Sequence, residues 1–190
     1  MLDAAIARRI RLVGLDVDGV MTDGSVYIGL VGDHPVEFKR FHIQDGLGVK
    51  LLRAAGLMVV VVSGRESAAT ALRARELGVD ELIQDTDGHK LPAFEAMLDR
   101  HGLPFDGCAF VGDDLADLPL LRRVGLAIAV ANAVPEVKDA ARWVTRATGG
   151  AGAVREVAEG LLKARGQWPT LVADYLRARG DVAEPTAGSR

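Results

Sequence analysis

Two carboxylates one residue apart, Asp16 and Asp18, sit in the stretch Leu12 to Thr22, LVGLDVDGVMT, just after the apolar run Ile10 to Leu15 and just before Gly19. Adjacent acids repel, and both are kept only where a cation, a shared proton or water offsets the charge. A buried strand delivering them to a turn places them at the carboxyl edge of a sheet, where open parallel sheets gather reactive groups. The pattern points to a hard metal ion and phosphate chemistry, provided other strand ends bring the remaining parts. Three more do. Met58 to Val62 ends in Ser63, Gly64 and Arg65; Glu81 to Gln84 is followed by Lys90; Cys108 to Val111 ends in Gly112, Asp113 and Asp114, with Asp117 beyond.

The elements that must hold these residues alternate in type. A helix-like Leu2 to Arg9 precedes the first strand. Ser25 to His42 reads as a β-hairpin in which Val26, Ile28, Val36 and Phe38 alternate around a GLVGDHP turn region, a face suited to a partner chain. Helical signals cover Leu47 to Ala55, Ser67 to Leu77, Lys90 to about Arg100, Val134 to Ala140 and about Ala153 to Lys163, with Gly56 and Gly78 as stops. Leu126 to Val130 and a short Trp143 to Thr145 complete the strands. The prediction is an α/β fold, a doubly wound parallel sheet sandwich with a β-hairpin insertion about residues 25–42 and no cap domain. Residues 1–167 form the domain. Residues 168–190 form an extension with a short helix Leu171 to Arg179 and a disordered end, GDVAEPTAGSR.

Composition bounds the function. With 190 residues, 49% of them hydrophobic, the chain fits one domain with an aliphatic core. A net charge of -3 and scattered Lys and Arg give no basic stripe for nucleic acid. Cys108 is the only cysteine, in the apolar run CAFVG, and reads as a buried structural thiol. The apolar run near the amino end is short and ends in acids, unlike a signal peptide or a membrane span, so the expectation is a cytoplasmic protein with no membrane partner. Blander roles compete for several polar residues. Asp114 and Asp45 suit helix caps, Lys39 and Arg40 a solvated strand face, and His42 a packed or surface position; nothing makes a zinc set.

Taken in order, Asp16 and Asp18, Ser63, Lys90, Asp113 and Asp117 resemble the four motifs of the haloacid dehalogenase superfamily of phosphotransferases, over about residues 11–165. The resemblance implies Asp16 as nucleophile, forming an aspartyl-phosphate, and Asp18 as the acid and then the base. It implies Mg2+ held by Asp16, Asp113 and the backbone carbonyl of Asp18, with Asp114 or Asp117 in support. Ser63 would donate to a phosphoryl oxygen, helped by amides opening a helix, and Lys90 would add fixed positive charge.

Within that superfamily LDVDGVMTDG, FKRFHIQDGLG, VSGRES, VGDDLADLPLLRRVGLAIAVANA and GGAGAVREV resemble the 3-deoxy-D-manno-octulosonate 8-phosphate phosphatases of lipopolysaccharide precursor synthesis. This implies a small phosphorylated sugar acid as substrate, Thr22, Gly64 and Arg65 as substrate-binding residues, with Arg65 pairing the sugar acid's carboxylate, and a homotetramer in which hairpins meet. Gln44 stands where that family often has Arg. A nine-carbon sugar acid 9-phosphate phosphatase, a receiver-like phosphoacceptor and a catalytically silent assembly module remain as alternatives.

Overall fold

Runs of small aliphatics without polar alternation suit strands covered on both faces, and the computed structural model, which describes residues 2–181, builds its sheet from them. The first half contains α1 (Ala4–Arg9), β1 (Leu12–Leu15), the hairpin strands β2 (Tyr27–Val31) and β3 (His34–Phe38), α2 (Ile43–Ala54), β4 (Met58–Ser63) and α3 (Ala68–Leu77). The second contains β5 (Glu81–Gln84), α4 (Lys90–His101), β6 (Cys108–Gly112), α5 (Leu118–Leu121), β7 (Leu126–Ala129), α6 (Pro135–Ala140), β8 (Trp143–Val144), α7 (Ala153–Ala164) and α8 (Trp168–Arg177). Six strands form one sheet in the order β5-β4-β1-β6-β7-β8, every neighbouring pair parallel. Helices α1, α2 and α7 pack together, as do α4, α5 and α6, and the sheet is flanked by helices as the sequence predicts.

The first strand sits in the middle of this sheet. Leu15 pairs with Val61 of β4 on one side and Val111 of β6 on the other, so the residues that follow β1 emerge between the ends of β4 and β6. Close approach of α4 depends on Gly14, where a Cβ would lie 2.6 Å from the Phe110 ring. Phe94 of α4 uses that space and meets Phe110 edge to face at 5.9 Å. Cys108 is buried as predicted, and burial, with a smaller push from Asp106, raises its thiol to about 12, which keeps it an inert apolar group.

Three boundaries differ from the sequence reading, each for a local reason. The hairpin turn is only Gly32-Asp33, because Gly32 takes φ +60 and a two-residue loop of this kind lets Val31 pair directly with His34. The broader GLVGDHP turn is therefore mostly strand. Helix α2 starts at Ile43 rather than Leu47: Gly46 lies inside the helix, where a Cβ would strike the Arg73 guanidinium at 2.5 Å. Helix α8 starts at Trp168, with Pro169 in its first turn, where a missing N–H costs nothing. Its Trp168, Leu171 and Tyr175 pack against the core. The predicted disordered end, GDVAEPTAGSR, lies outside the described residues from 182 onward.

Asp45 caps a helix, but not its own. Its carboxylate accepts from the amides of Arg155 at 2.8 Å and Gly152 at 3.3 Å, at the start of α7, where Gly152 itself has no side chain to cap with. Replacing Asp45 with Ala should lower unfolding free energy by about 1–3 kcal/mol, since two amides lose their acceptor. Urea denaturation checks this; a change below about 0.5 kcal/mol would show that water replaces the carboxylate at no cost.

Candidate active site

Asp16 follows β1 and stays buried, its amide donating to Val111 O at 3.0 Å. Lys90, the first residue of α4, reaches across with its ammonium 2.5 Å from Asp16 Oδ1 and 2.7 Å from Asp117 Oδ1. Asp117 is buried too, and its other oxygen accepts from the amides of Asp113 at 2.9 Å and Asp114 at 3.3 Å. Ligand oxygens of Asp16, Asp113 and Asp117 all lie within 4.8 Å of one another.

Three carboxylates against one ammonium leave a surplus of negative charge away from water. Burial pushes the Asp16 carboxyl well above its usual range, and Asp117 adds to this, while Lys90 pulls the other way. Burial and then Asp117 raise Asp113 to about 6. Lys90 loses to burial but gains more from Asp16 and Asp117, so its pKa rises and it stays charged. Asp113 Oδ1 is buried with no hydrogen-bond partner. An orphaned carboxylate oxygen among acids is the arrangement a divalent cation corrects, and an all-oxygen donor set fits a hard ion such as magnesium.

The turn carrying Asp18 is built around this cluster. Val17–Met21 forms a wide helical turn interrupted at Gly19, whose φ is +94 and whose Cβ, if present, would collide with the Asp113 carboxylate. Asp117 also comes near Gly112, 2.7 Å from the Cβ position. Thr22 is buried, and its hydroxyl donates to Val17 O at 3.2 Å and accepts from the amides of Gly24 and Gly19. That hydroxyl closes the turn. Asn132 adds a clamp: its Nδ2 donates to Gly19 O at 3.0 Å while its Oδ1 accepts from the Gly149 amide at 2.7 Å.

The other sequence-predicted residues divide between two places. Asp18 does not join the acid cluster; its carboxylate faces Lys39 at 2.5 Å and Arg65 at 3.8 Å. Lys39 corrects the expectation of a solvated face, since its side chain is only 1% exposed. Arg40 does stay exposed, 3.2 Å from Asp23. Ser63, at the end of β4, turns its hydroxyl into its own loop, accepting from the Arg65 amide at 3.1 Å and donating to Arg65 O at 3.0 Å. Gly64 lies beside Lys90, its Cβ position 3.6 Å from Lys90 Cε. The amides after Ser63 do not open a helix as expected: α3 begins at Ala68, capped by Ser67. Asp114 caps the next turn through the Leu115 amide, 2.7 Å away, and is not in the acid cluster.

Residues 83–157 match the family model described as haloacid dehalogenase-like hydrolase. The chain is 41% identical over 163 residues to the 3-deoxy-D-manno-octulosonate 8-phosphate phosphatase KdsC of Escherichia coli (strain K12), covering 86% of this chain and 85% of that protein. The chain belongs to that phosphatase family. Its fold matches the corresponding phosphatase from Moraxella catarrhalis, solved with magnesium, phosphate and KDO, at a TM-score of 0.84 and 36% identity over 90% of this chain and 97% of the other. A probable YrbI family phosphatase from Pseudomonas syringae aligns at 0.85 and 41%, covering 91% and 96%. Membership makes the chain an enzyme, a phosphoric monoester hydrolase. Among the described residues no helix is long and apolar enough to cross a membrane.

If the acid cluster is the metal site, Asp113→Asn should weaken magnesium binding by at least about tenfold, read by calorimetric titration without any substrate. Unchanged affinity would remove Asp113 from the ligand set.

Proposed function

We propose that this chain is a magnesium-dependent phosphatase that converts 3-deoxy-D-manno-octulosonate 8-phosphate to the free sugar acid and phosphate, in the cytoplasm, as a step of lipopolysaccharide precursor synthesis. The observation that carries this reading is the placing of Asp16 at the centre strand, gripped by Lys90 and faced by Asp113 and Asp117, in a chain 41% identical to a phosphatase of that name. Asp16 and Asp113, with the backbone carbonyl of Asp18 and support from Asp117, would hold magnesium, which would supply positive charge to the crowded carboxylates and to the phosphoryl oxygens.

The chain's own residues then divide the work. Asp16 attacks phosphorus, breaking the bond to the sugar oxygen and forming an aspartyl-phosphate. Asp18, held apart from the cluster by Lys39, gives its proton to the departing oxygen and afterwards takes one from the water that cleaves the intermediate. Lys90 keeps one Asp16 oxygen fixed and offsets charge where it develops. Ser63 and Gly64 line the approach to the phosphate from the end of β4. Arg65, 46% exposed at the mouth, pairs with the sugar acid's carboxylate. Thr22 supports binding through the turn that it closes. The exposed apolar residues Val26, Tyr27, Ile28, Leu30, Val31 and Phe38 on the hairpin support a homotetramer in which hairpins meet.

Phosphate release should be strong from the octulosonate 8-phosphate with magnesium, absent with a chelator, and weak from sugar phosphates that lack a carboxylate. Arg65→Ala should cost about tenfold or more on the sugar acid phosphate and much less on acetyl phosphate. Preference for a nine-carbon sugar acid 9-phosphate would move the enzyme to that substrate, and equal losses on both substrates would make Arg65 a phosphate ligand. Sedimentation equilibrium should give the mass of four chains, falling when Ile28 and Leu30 are both replaced by Lys; a monomeric parent would end the tetramer reading.

A further inference from the structure

Beside the acid cluster lies a second set of charges with no surplus. Lys39 Nζ is 2.5 Å from Asp18 Oδ1 and 3.9 Å from Glu37 Oε1. Arg65 closes the ring, with Nη2 3.0 Å from Glu37 Oε1 and Nη1 3.8 Å from Asp18 Oδ2. Two acids face two bases. Glu37 and Lys39 reach the same side because residues two apart on an extended chain share a face, while Phe38 between them points outward and is exposed. The bond from Arg65 makes the Glu37 carboxylate a tie between the hairpin and the loop that follows β4.

Both terminal nitrogens of Arg65 are therefore turned toward protein carboxylates in the resting site. A guanidinium grips a carboxylate best through two parallel hydrogen bonds, and one arm of that fork, Nη2, is already bonded to Glu37 while the other faces Asp18. We infer that Glu37 is an internal stand-in for the substrate's carboxylate, released from Arg65 when a sugar acid phosphate docks, which makes it a residue that sets specificity. The inference rests on Arg65 reading that carboxylate. Exchange is feasible because Glu37 is not stranded when it lets go: Lys39 remains beside it. It is also cheap, since Arg65 is nearly half exposed and such pairs are weak. A sugar phosphate without an acid group offers Arg65 nothing in return, so the ring stays closed and the ligand gains no contact there. Discrimination then arises from a swap of one carboxylate for another and needs no clash.

The test compares the wild-type enzyme with Glu37→Gln in steady-state turnover of 3-deoxy-D-manno-octulosonate 8-phosphate and of p-nitrophenyl phosphate, with magnesium present. Removing the internal competitor should lower the KM for the acid substrate about twofold to fivefold relative to that for p-nitrophenyl phosphate. Inhibition by the free sugar acid should tighten by the same factor, a readout that needs no turnover of the acid. Glu37→Asp, still charged but one methylene shorter, should shift the ratio in the same direction, and thermal melting verifies that each variant is folded. A rise in KM for the acid substrate would overturn the inference, because Glu37 would then be pre-positioning Arg65. A KM ratio that does not move would overturn it too, leaving Glu37 as a tie between the hairpin and the loop after β4. Failure of the wild-type enzyme to turn over the octulosonate phosphate would instead count against the proposed substrate, and is read separately.

Discussion

The ammonium of Lys90, set between the buried carboxylates of Asp16 and Asp117, is the contact on which the centre of this molecule depends. It joins the end of β1, the start of α4 and the turn after β6, three segments far apart in sequence. Buried ion pairs add little net stability when intact, but removing one partner leaves a charge without compensation and costs about 3–5 kcal/mol. The arrangement is therefore better understood as fixing geometry than as holding the fold together. The fold has other resources for that: strands β1, β6 and β7 are buried along their whole length, and the helices on both sides share a continuous aliphatic core.

Crowding acids so closely also requires backbone to come where side chains cannot. Gly19 at φ +94 passes under the Asp113 carboxylate, Gly112 makes room for Asp117, and Gly149 abuts the Gly19 carbonyl that Asn132 holds. The first and last of these contacts bring other loops against the turn bearing Asp18, and the second tightens the loop after β6. The sheet contributes by placing β1 between β4 and β6, so that the acids meet without any long connecting loop. Precision at the site is thus a property of turns braced against one another at the carboxyl edge of a rigid sheet.

Much of this could be read in the chain itself. Continuous apolar runs announce strands covered on both faces, and glycine stops bound the helices, because burial and backbone entropy act locally and leave periodic traces. The residues at strand ends were legible for the same reason. What could not be read was direction. Lys39 looks solvated beside Arg40, yet strand alternation turns it inward to Asp18 while Arg40 faces out. Asp45 has the look of a cap for the helix it begins, but the amides that donate to it belong to α7, more than a hundred residues later. Helix α2 begins earlier than its sequence suggests because Gly46 serves a close approach to Arg73. In each case the deciding neighbour comes from a distant part of the chain, and no local pattern encodes it.

The two charged clusters explain how a chain with net charge -3 can work on an anionic substrate. The deep one carries an excess of carboxylate and has an unpartnered oxygen on Asp113, so it attracts a divalent cation, and with it a phosphoryl group. The outer one, Asp18, Lys39, Glu37 and Arg65, is balanced and partly open to water. Bare cations at the mouth would bind any anion, including the phosphate released. Cations already matched by acids favour only a ligand whose own carboxylate can replace one of those partners. Net charge is then a poor guide to substrate charge, because selection depends on which pairs can be exchanged and not on how many charges of each sign are present.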